Sequence, residues 1–283
     1  MKVVRFQHGD GPPQIGTLEG DHVLAPTGLP ADLPALLESG VLAALGAGRA
    51  IPLADVRLLA PVGRPPKLLA IGLNYAAHAA ESTMKRPEYQ LWFNKQSTCV
   101  VGPGEAIEVP RASSYVDYEG ELAFVIGRRC RHVPADRAAE VVFGYTIMND
   151  VSVRDWQRRT PTMTMGKSFD THGPMGPCIV TGDELGDPHR LRLRTWVNDD
   201  LRQDASTEDL IYNCWEMVEH LSTAFTLEPG DVVSTGTPAG VGFAMDPPHW
   251  LAAGDRVRIE IDGLGVLENP VIDEPADEPT GLA

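Results

Sequence analysis

Apolar residues along this chain fall into short runs broken by glycine, proline and aspartate. Runs at 3–6, 15–18 and 22–24 predict three strands near the start. Further strands are predicted at 68–72, 91–93, 119–126, 141–148, 178–180, 192–197, 231–234 and 256–261. The last alternates cleanly, with Val257, Ile259 and Ile261 set against Arg256, Arg258 and Glu260. Asp262-Gly263 then supplies a hairpin turn. Residues 33–45 predict one or two short helical turns, and 75–81 a helix or loop. One longer helix is expected from about 208 to 224. Leu210, Cys214, Met217 and Leu221 form its stripe, and Ser206 or Thr207 its cap. Strands dominate, so the fold class is α+β and mostly β. Pro61, Pro65 and Pro66 in "APVGRPPK" mark a boundary between a small β-rich unit, residues 1–60, and a main body, residues 65–270. Residues 271–283 are acidic and proline-rich and are expected to form a mobile tail.

One stretch, "YEGELAFVIG", contains a conflict. Leu122 to Ile126 is an apolar run of the kind buried on both faces of a sheet. Glu119 and Glu121 stand at its entrance, two apart and therefore on one side of the strand. They are either a solvated strand face or a pair bridged by a hard divalent cation. "TIMNDVSVRDWQ" offers a third oxygen ligand in Asp150, at the exit of another strand. Asp150, Arg154 and Gln157 are spaced by four and three, one face of a helix. Alone this is a capping aspartate with an ion pair. Beside the glutamate pair it makes a three-carboxylate site. With no histidine or cysteine in it, that set suits Mg²⁺ or Mn²⁺ rather than zinc. His78 and Glu81, three apart in "NYAAHAAE", can touch on a helical turn. There Glu81 would orient the imidazole and raise its basicity, or the two are a plain surface pair.

Composition narrows the partners. A formal net charge of -15 over 283 residues argues against nucleic acid and anionic membranes. An acidic substrate then needs a local basic patch. Four scattered cysteines without C-x-x-C read as free thiols in a reducing compartment. With no apolar leader core and no long apolar run, a cytoplasmic protein is expected. Gly166-Lys167-Ser168 resembles the end of a phosphate loop, but Pro161 stands where its first glycine belongs. "GTPAGVG" lacks dinucleotide spacing, and no G-x-S-x-G elbow is present.

Six motifs in order carry a resemblance: "AIGLNYAAHAAE", "DYEGELAFVIG", "GYTIMNDVSVRDWQ", "GKSFDTHGPMGP", "VVSTGTPAGVG" and "PPHWLAAGDRVRIEIDGLG". From Lys67 to about Asn269 the chain resembles the fumarylacetoacetate hydrolase family. The resemblance implies a rolled mixed β-sheet catalytic domain behind a small N-terminal domain, and a homodimer. It implies that Glu119, Glu121 and Asp150 hold Mg²⁺ or Mn²⁺. It carries over His78 and Glu81 as a water-activating dyad on a lid segment, Gln157 at the oxyanion, and Lys167 and Thr237, with Gly236, at the substrate's pyruvyl end. Arg154 lies beside Gln157 as a further substrate-binding group. Lys95, in "FNKQST", is a candidate for a second substrate carboxylate or a structural ion pair. The long animal fumarylacetoacetase has an extra acidic ligand where residues 72–78 here carry no acid, so this chain groups with the shorter bacterial-type members.

The implied activity is C–C bond hydrolysis of an acylpyruvate or other 2,4-diketo acid, of the kind met in aromatic catabolism. The same site serves oxaloacetate decarboxylation and isomerisation or hydration of hydroxymuconate-type acids. A metal-stabilised binding protein without turnover is the remaining alternative. Choice of acyl group is expected to lie in the lid after Glu81 and in the 158–165 loop.

Overall fold

The computed structural model describes residues 1–81 and 87–276. Its central strand is Gly120–Ile126, buried at every position. It pairs antiparallel with Val142–Asn149 on one side and with Val232–Ser234 on the other. Its side chains alternate between two cores. Leu122, Phe124 and Ile126 enter one, with Tyr145 and Val233. Ala123 and Val125 enter the other, with Met148 and Ile179. Both faces are dry, which is why the run is continuously apolar.

This strand belongs to a twelve-stranded mixed sheet. From the centre the order runs outward through Val232–Ser234, Leu68–Gly72 and Leu91–Asn94. In the other direction it runs through Val142–Asn149, Gly173–Thr181, Lys2–His8, Gln14–Glu19, His22–Ala25 and Arg49–Pro52. A five-stranded sheet shares the first core. It contains Arg192–Val197, Arg256–Ile261 and Gly265–Asp273. The mostly β expectation and the positions of the main strands match. The sheet is continuous from the N-terminal segment into the main body, because Lys2 and Val3 pair with Val180 and Ile179. Among the described residues no helix is long and apolar enough to cross a membrane.

Two expectations need correction. The helix expected from 208 begins at Cys214 and runs to Ala224. Residues 207–209 form one separate 3-10 turn, capped by Ser206. Between them the chain bends and is anchored to Asn74: Ile211 N–H donates to Asn74 O (2.7 Å), and Tyr212 N–H to Asn74 Oδ1 (2.8 Å). The cap is Asn213, in a reciprocal capping box with Glu216. Leu210 therefore pairs with Tyr75 as an isolated bridge instead of joining the stripe. The tail also starts later than 271. The last strand runs to Asp273, pairing with Val109, and Glu274 meets Arg111 at 2.7 Å. Residues 277–283 lie outside the described residues.

Gly120, between the two glutamates, has no room for a side chain. A Cβ there would collide with Thr195 Oγ1 and press on Gln203 Oε1, which accepts the Gly120 N–H at 3.0 Å. Gly120→Ala should therefore lower stability by about 1–3 kcal/mol, the usual cost of overpacking. Urea titration checks this, and an unchanged midpoint would count against the packing described.

Candidate active site

Strand pairing builds the acid cluster. Gly120 lies opposite Asn149, and Asp150 N–H donates to Glu119 O at 2.9 Å. The exit of one strand thus meets the entrance of the next. One carboxylate oxygen from each of Glu119, Glu121 and Asp150 lies within 4.8 Å of the others, and all three residues are buried.

Cations surround two of the acids. Lys167 Nζ stands 2.6 Å from Glu119 Oε2 and 2.7 Å from Asp150 Oδ2. Lys95 Nζ is 2.7 Å from Asp150 Oδ1, and Arg154 Nη1 is 2.6 Å from Glu119 Oε1. Among the described residues no cation pairs with Glu121. It accepts instead from the Ser234 hydroxyl (2.5 Å) and the Gly236 N–H (2.8 Å). The electrostatics follow. Burial pushes the Glu119 carboxyl up, but Lys167 and Arg154 outweigh it and hold it well below the usual range. Burial, then repulsion from Asp150 and Glu119, hold Glu121 well above that range. Burial works against the Lys167 ammonium, yet Asp150 and Glu119 keep its pKa raised, so it is a cation at neutral pH. Three hard oxygen donors, one of them Glu121 with no cation beside it among the described residues, fit a divalent cation of the Mg²⁺ or Mn²⁺ type. That resolves the conflict in "YEGELAFVIG".

The helix Ala76–Glu81 brings its pair to the same place. His78 Nδ1 is 2.8 Å from Glu81 Oε1, and Glu81 Oε2 accepts the Gly240 N–H at 2.9 Å. The imidazole is buried and meets the Phe243 ring edge-on at 6.4 Å. A cavity of about 630 Å³ is lined by His78, Glu119, Glu121, Arg154, Gln157, Lys167 and Thr237. Ile71, Leu73, Leu91, Phe93 and Met163 add apolar lining. No residue of the first 60 lines it. Gln157 Oε1 accepts from Arg154 Nη1 at 3.0 Å, which turns its amide NH₂ along the wall toward Met163 Sδ at 3.7 Å.

Two expected substrate groups are placed elsewhere. Lys95 is buried, with its ammonium on Asp150 and on the carbonyl oxygens of Val151 and Lys167. It does not line the cavity and is the structural ion pair. Gly236 gives its N–H to Glu121 and is also absent from the lining. Thr237 does line it, its hydroxyl donating to Gly120 O at 3.0 Å and accepting from Gln203 at 2.8 Å.

Asp117 and Phe243 escaped the sequence reading, and Arg158 entered it only as the first residue of the 158–165 loop. Asp117 is buried and ion-paired to Arg154 at 2.8 Å. Its signal was present, since Asp117, Glu119 and Glu121 are each two apart. Phe243 packs 4.5 Å from the Arg154 guanidinium. Arg158 lines the cavity with its guanidinium 5.4 Å from the Phe243 ring, and no carboxylate among the described residues pairs with it. Residues 82–86, the segment after Glu81, lie outside the described residues. Of the 158–165 loop, Arg158, Thr160, Pro161 and Met163 line the cavity.

Mutually repelling buried acids destabilise a fold, and their grouping beside a histidine–carboxylate pair in a cavity marks this molecule as an enzyme. The comparisons say which kind. The domain described as "Fumarylacetoacetate (FAA) hydrolase C-terminal" matches residues 67–272, and "Rv2993c-like, N-terminal" matches residues 1–61. The chain belongs to the fumarylacetoacetate hydrolase family. Oxaloacetate tautomerase fahd2, mitochondrial, from Xenopus laevis is 40% identical over 288 residues, 96% of this chain and 90% of that protein. The structure of 5-carboxymethyl-2-hydroxymuconate delta-isomerase from Mycobacterium smegmatis has a TM-score of 0.81 at 40% identity, covering 97% of this chain and 100% of that chain. Maleylpyruvate hydrolase from Sphingobium sp. SYK-6, solved with manganese (II) and pyruvate, has a TM-score of 0.80 at 34% identity, with coverage of 97% and 100%.

The charges predict opposite effects for two substitutions, both read in chelator. Asp150→Ala leaves Lys95 and part of Lys167 buried without their partner and should cost about 3–5 kcal/mol. Glu121→Gln should match or exceed wild-type stability at pH 7. The raised pKa of Glu121 makes the folded wild type lose stability as pH rises from the ordinary carboxylate range through that higher value, and the glutamine protein lacks this loss. Denaturant titrations from pH 4 to 8 check both. Destabilisation by Glu121→Gln with an unchanged pH slope would refute the charge assignment.

Proposed function

We propose that this enzyme holds Mg²⁺ or Mn²⁺ on Glu119, Glu121 and Asp150 and hydrolyses the C–C bond of an acylpyruvate, releasing pyruvate. The observation that carries this reading is that His78, paired to Glu81 at 2.8 Å, lines the same cavity as Glu119 and Glu121 of the three-carboxylate cluster. The cation would supply Lewis-acid stabilisation of negative charge on the pyruvyl oxygens. Glu81 accepts the Nδ1 proton of His78, which leaves Nε2 to take a proton from water. The resulting hydroxide adds to the acyl carbonyl. Gln157, its amide oriented by Arg154, donates an N–H to the oxyanion, and the Lys167 ammonium adds positive charge nearby. On collapse the C–C bond breaks, and its electron pair passes to the enolate of pyruvate. A proton on that carbon gives pyruvate, and the acyl part leaves as a carboxylic acid.

Arg158 bears on the acyl group. It is a cavity cation with no carboxylate partner among the described residues, beside apolar lining. It suits an acyl chain ending in a second carboxylate, the role Lys95 cannot take. The 96% coverage of the tautomerase relative favours a second reading, keto–enol exchange of oxaloacetate. That reaction needs proton transfer by His78 and no attacking water. A homodimer belongs to the same proposal and is read by light scattering.

Pyruvate release from a panel of mono- and dicarboxylic acylpyruvates, with Mg²⁺ or Mn²⁺, tests the reading. His78→Ala should lose this hydrolysis by about 10² to 10⁴, the usual share of a general base. Arg158→Met should raise KM for the dicarboxylic members and leave the monocarboxylic ones alone. No pyruvate from any acylpyruvate, with rapid oxaloacetate enolisation, would replace hydrolysis by the second reading.

A further inference from the structure

Backbone amides within residues 236–243 hold three acids at the site. Gly236 N–H donates to Glu121 Oε2 (2.8 Å) and Gly240 N–H to Glu81 Oε2 (2.9 Å). Gly242 and Phe243 donate to the two oxygens of Asp117 at 2.8 and 3.0 Å. The path is fixed. Gly236 and Gly240 have φ of +92° and +102°, and a Cβ at Gly240 would collide with Arg202 O. One backbone strip therefore joins an acid of the cluster to the acid of the histidine pair.

We propose that Asp117 is the positioning residue that sets the His78–Glu81 pair against the carboxylate cluster. It lines no part of the cavity and touches no reacting atom. Its carboxylate takes four hydrogen-bond donors. Oδ1 accepts from Tyr118 (2.9 Å) and Gly242. Oδ2 accepts from Phe243 and from Arg154 Nε at 2.9 Å, and is ion-paired to Arg154 Nη2 at 2.8 Å. Arg154 spends its remaining Nη1 on Glu119 and Gln157. A single buried carboxylate thus fixes the arginine on the cluster side and the amide strip on the dyad side. The Phe243 ring fills the space between, near Arg154 on one side and His78 on the other. Asn cannot replace it. Donors face both oxygens, so an amide NH₂ must point at another donor whichever way it turns.

This inference rests on the hydrolase reading for its kinetic arm only. Asp117→Asn should lower kcat for pyruvate release by about 10²-fold, the scale of a small misplacement, and leave KM nearly unchanged. In a Glu81→Gln background the same change should cost less than about twofold more, because the pair it positions is already disabled. Mn²⁺ affinity by calorimetry should stay near wild type. Hydrogen exchange should rise at 76–81 and 236–243, and at Tyr118, whose N–H Asp117 accepts. Full multiplication of the two losses, or a collapse of Mn²⁺ affinity, would make Asp117 merely structural and overturn the proposal. Unchanged exchange at both segments would overturn it too. If the wild type releases no pyruvate, the hydrolase reading fails, and the exchange and Mn²⁺ arms still decide Asp117. Asp117→Ser, smaller and equally uncharged, is read in the same way if the Asn protein does not fold.

Discussion

The molecule is organised around charges placed where water does not reach. Asp117, Glu119, Glu121 and Asp150 are buried, and so are Lys95, Arg154 and Lys167. Each ion taken from water costs several kcal/mol unless partners replace its hydration. The chain supplies those partners from separate elements. Lys95 follows the strand Leu91–Asn94, Arg154 opens a short helix, and Lys167 ends a 3-10 turn. These segments meet because they flank one strand at the centre of a large sheet. A strand at the edge could not hold the same acids without solvating them.

Much of this was legible because strand geometry is periodic. The two-residue spacing of Glu119 and Glu121 forces them to one side, and Asp150 follows a strand that pairs antiparallel with theirs. The His78–Glu81 contact needed one helical turn and no tertiary information. Where the reading failed, the cause was tertiary. Nothing in "FNKQST" reveals that Lys95 N–H bonds to Leu68 O, or that its side chain then runs to Asp150. The helix start was misplaced because Asn74, far away in sequence, takes the backbone N–H groups of residues 211 and 212. Asp117 was passed over because the chain changes partner at Tyr118. Val116–Asp117 pairs with Ser152–Val153 in a separate ribbon, and no residue marks that change.

The N-terminal segment shows a different limit. Prolines at 65 and 66 fall between two family matches, and Pro61 is the last residue of the first. These prolines do not show that the sheet continues across the boundary. Backbone pairing of Lys2 and Val3 is independent of side-chain type, so no residue identity records it. Domain boundaries read from composition and boundaries of hydrogen bonding are separate properties, and here they differ.

The raised affinity of Glu121 for a proton has a consequence for the order of events. A proton held there leaves Glu121 without charge, and the molecule's overall -15 opposes the approach of an acidic substrate. Under the proposed function, a divalent ion exchanged for that proton would make the local charge more positive while leaving the distant surface as it was. Binding would then follow an order written in charge, the ion first and the organic acid second.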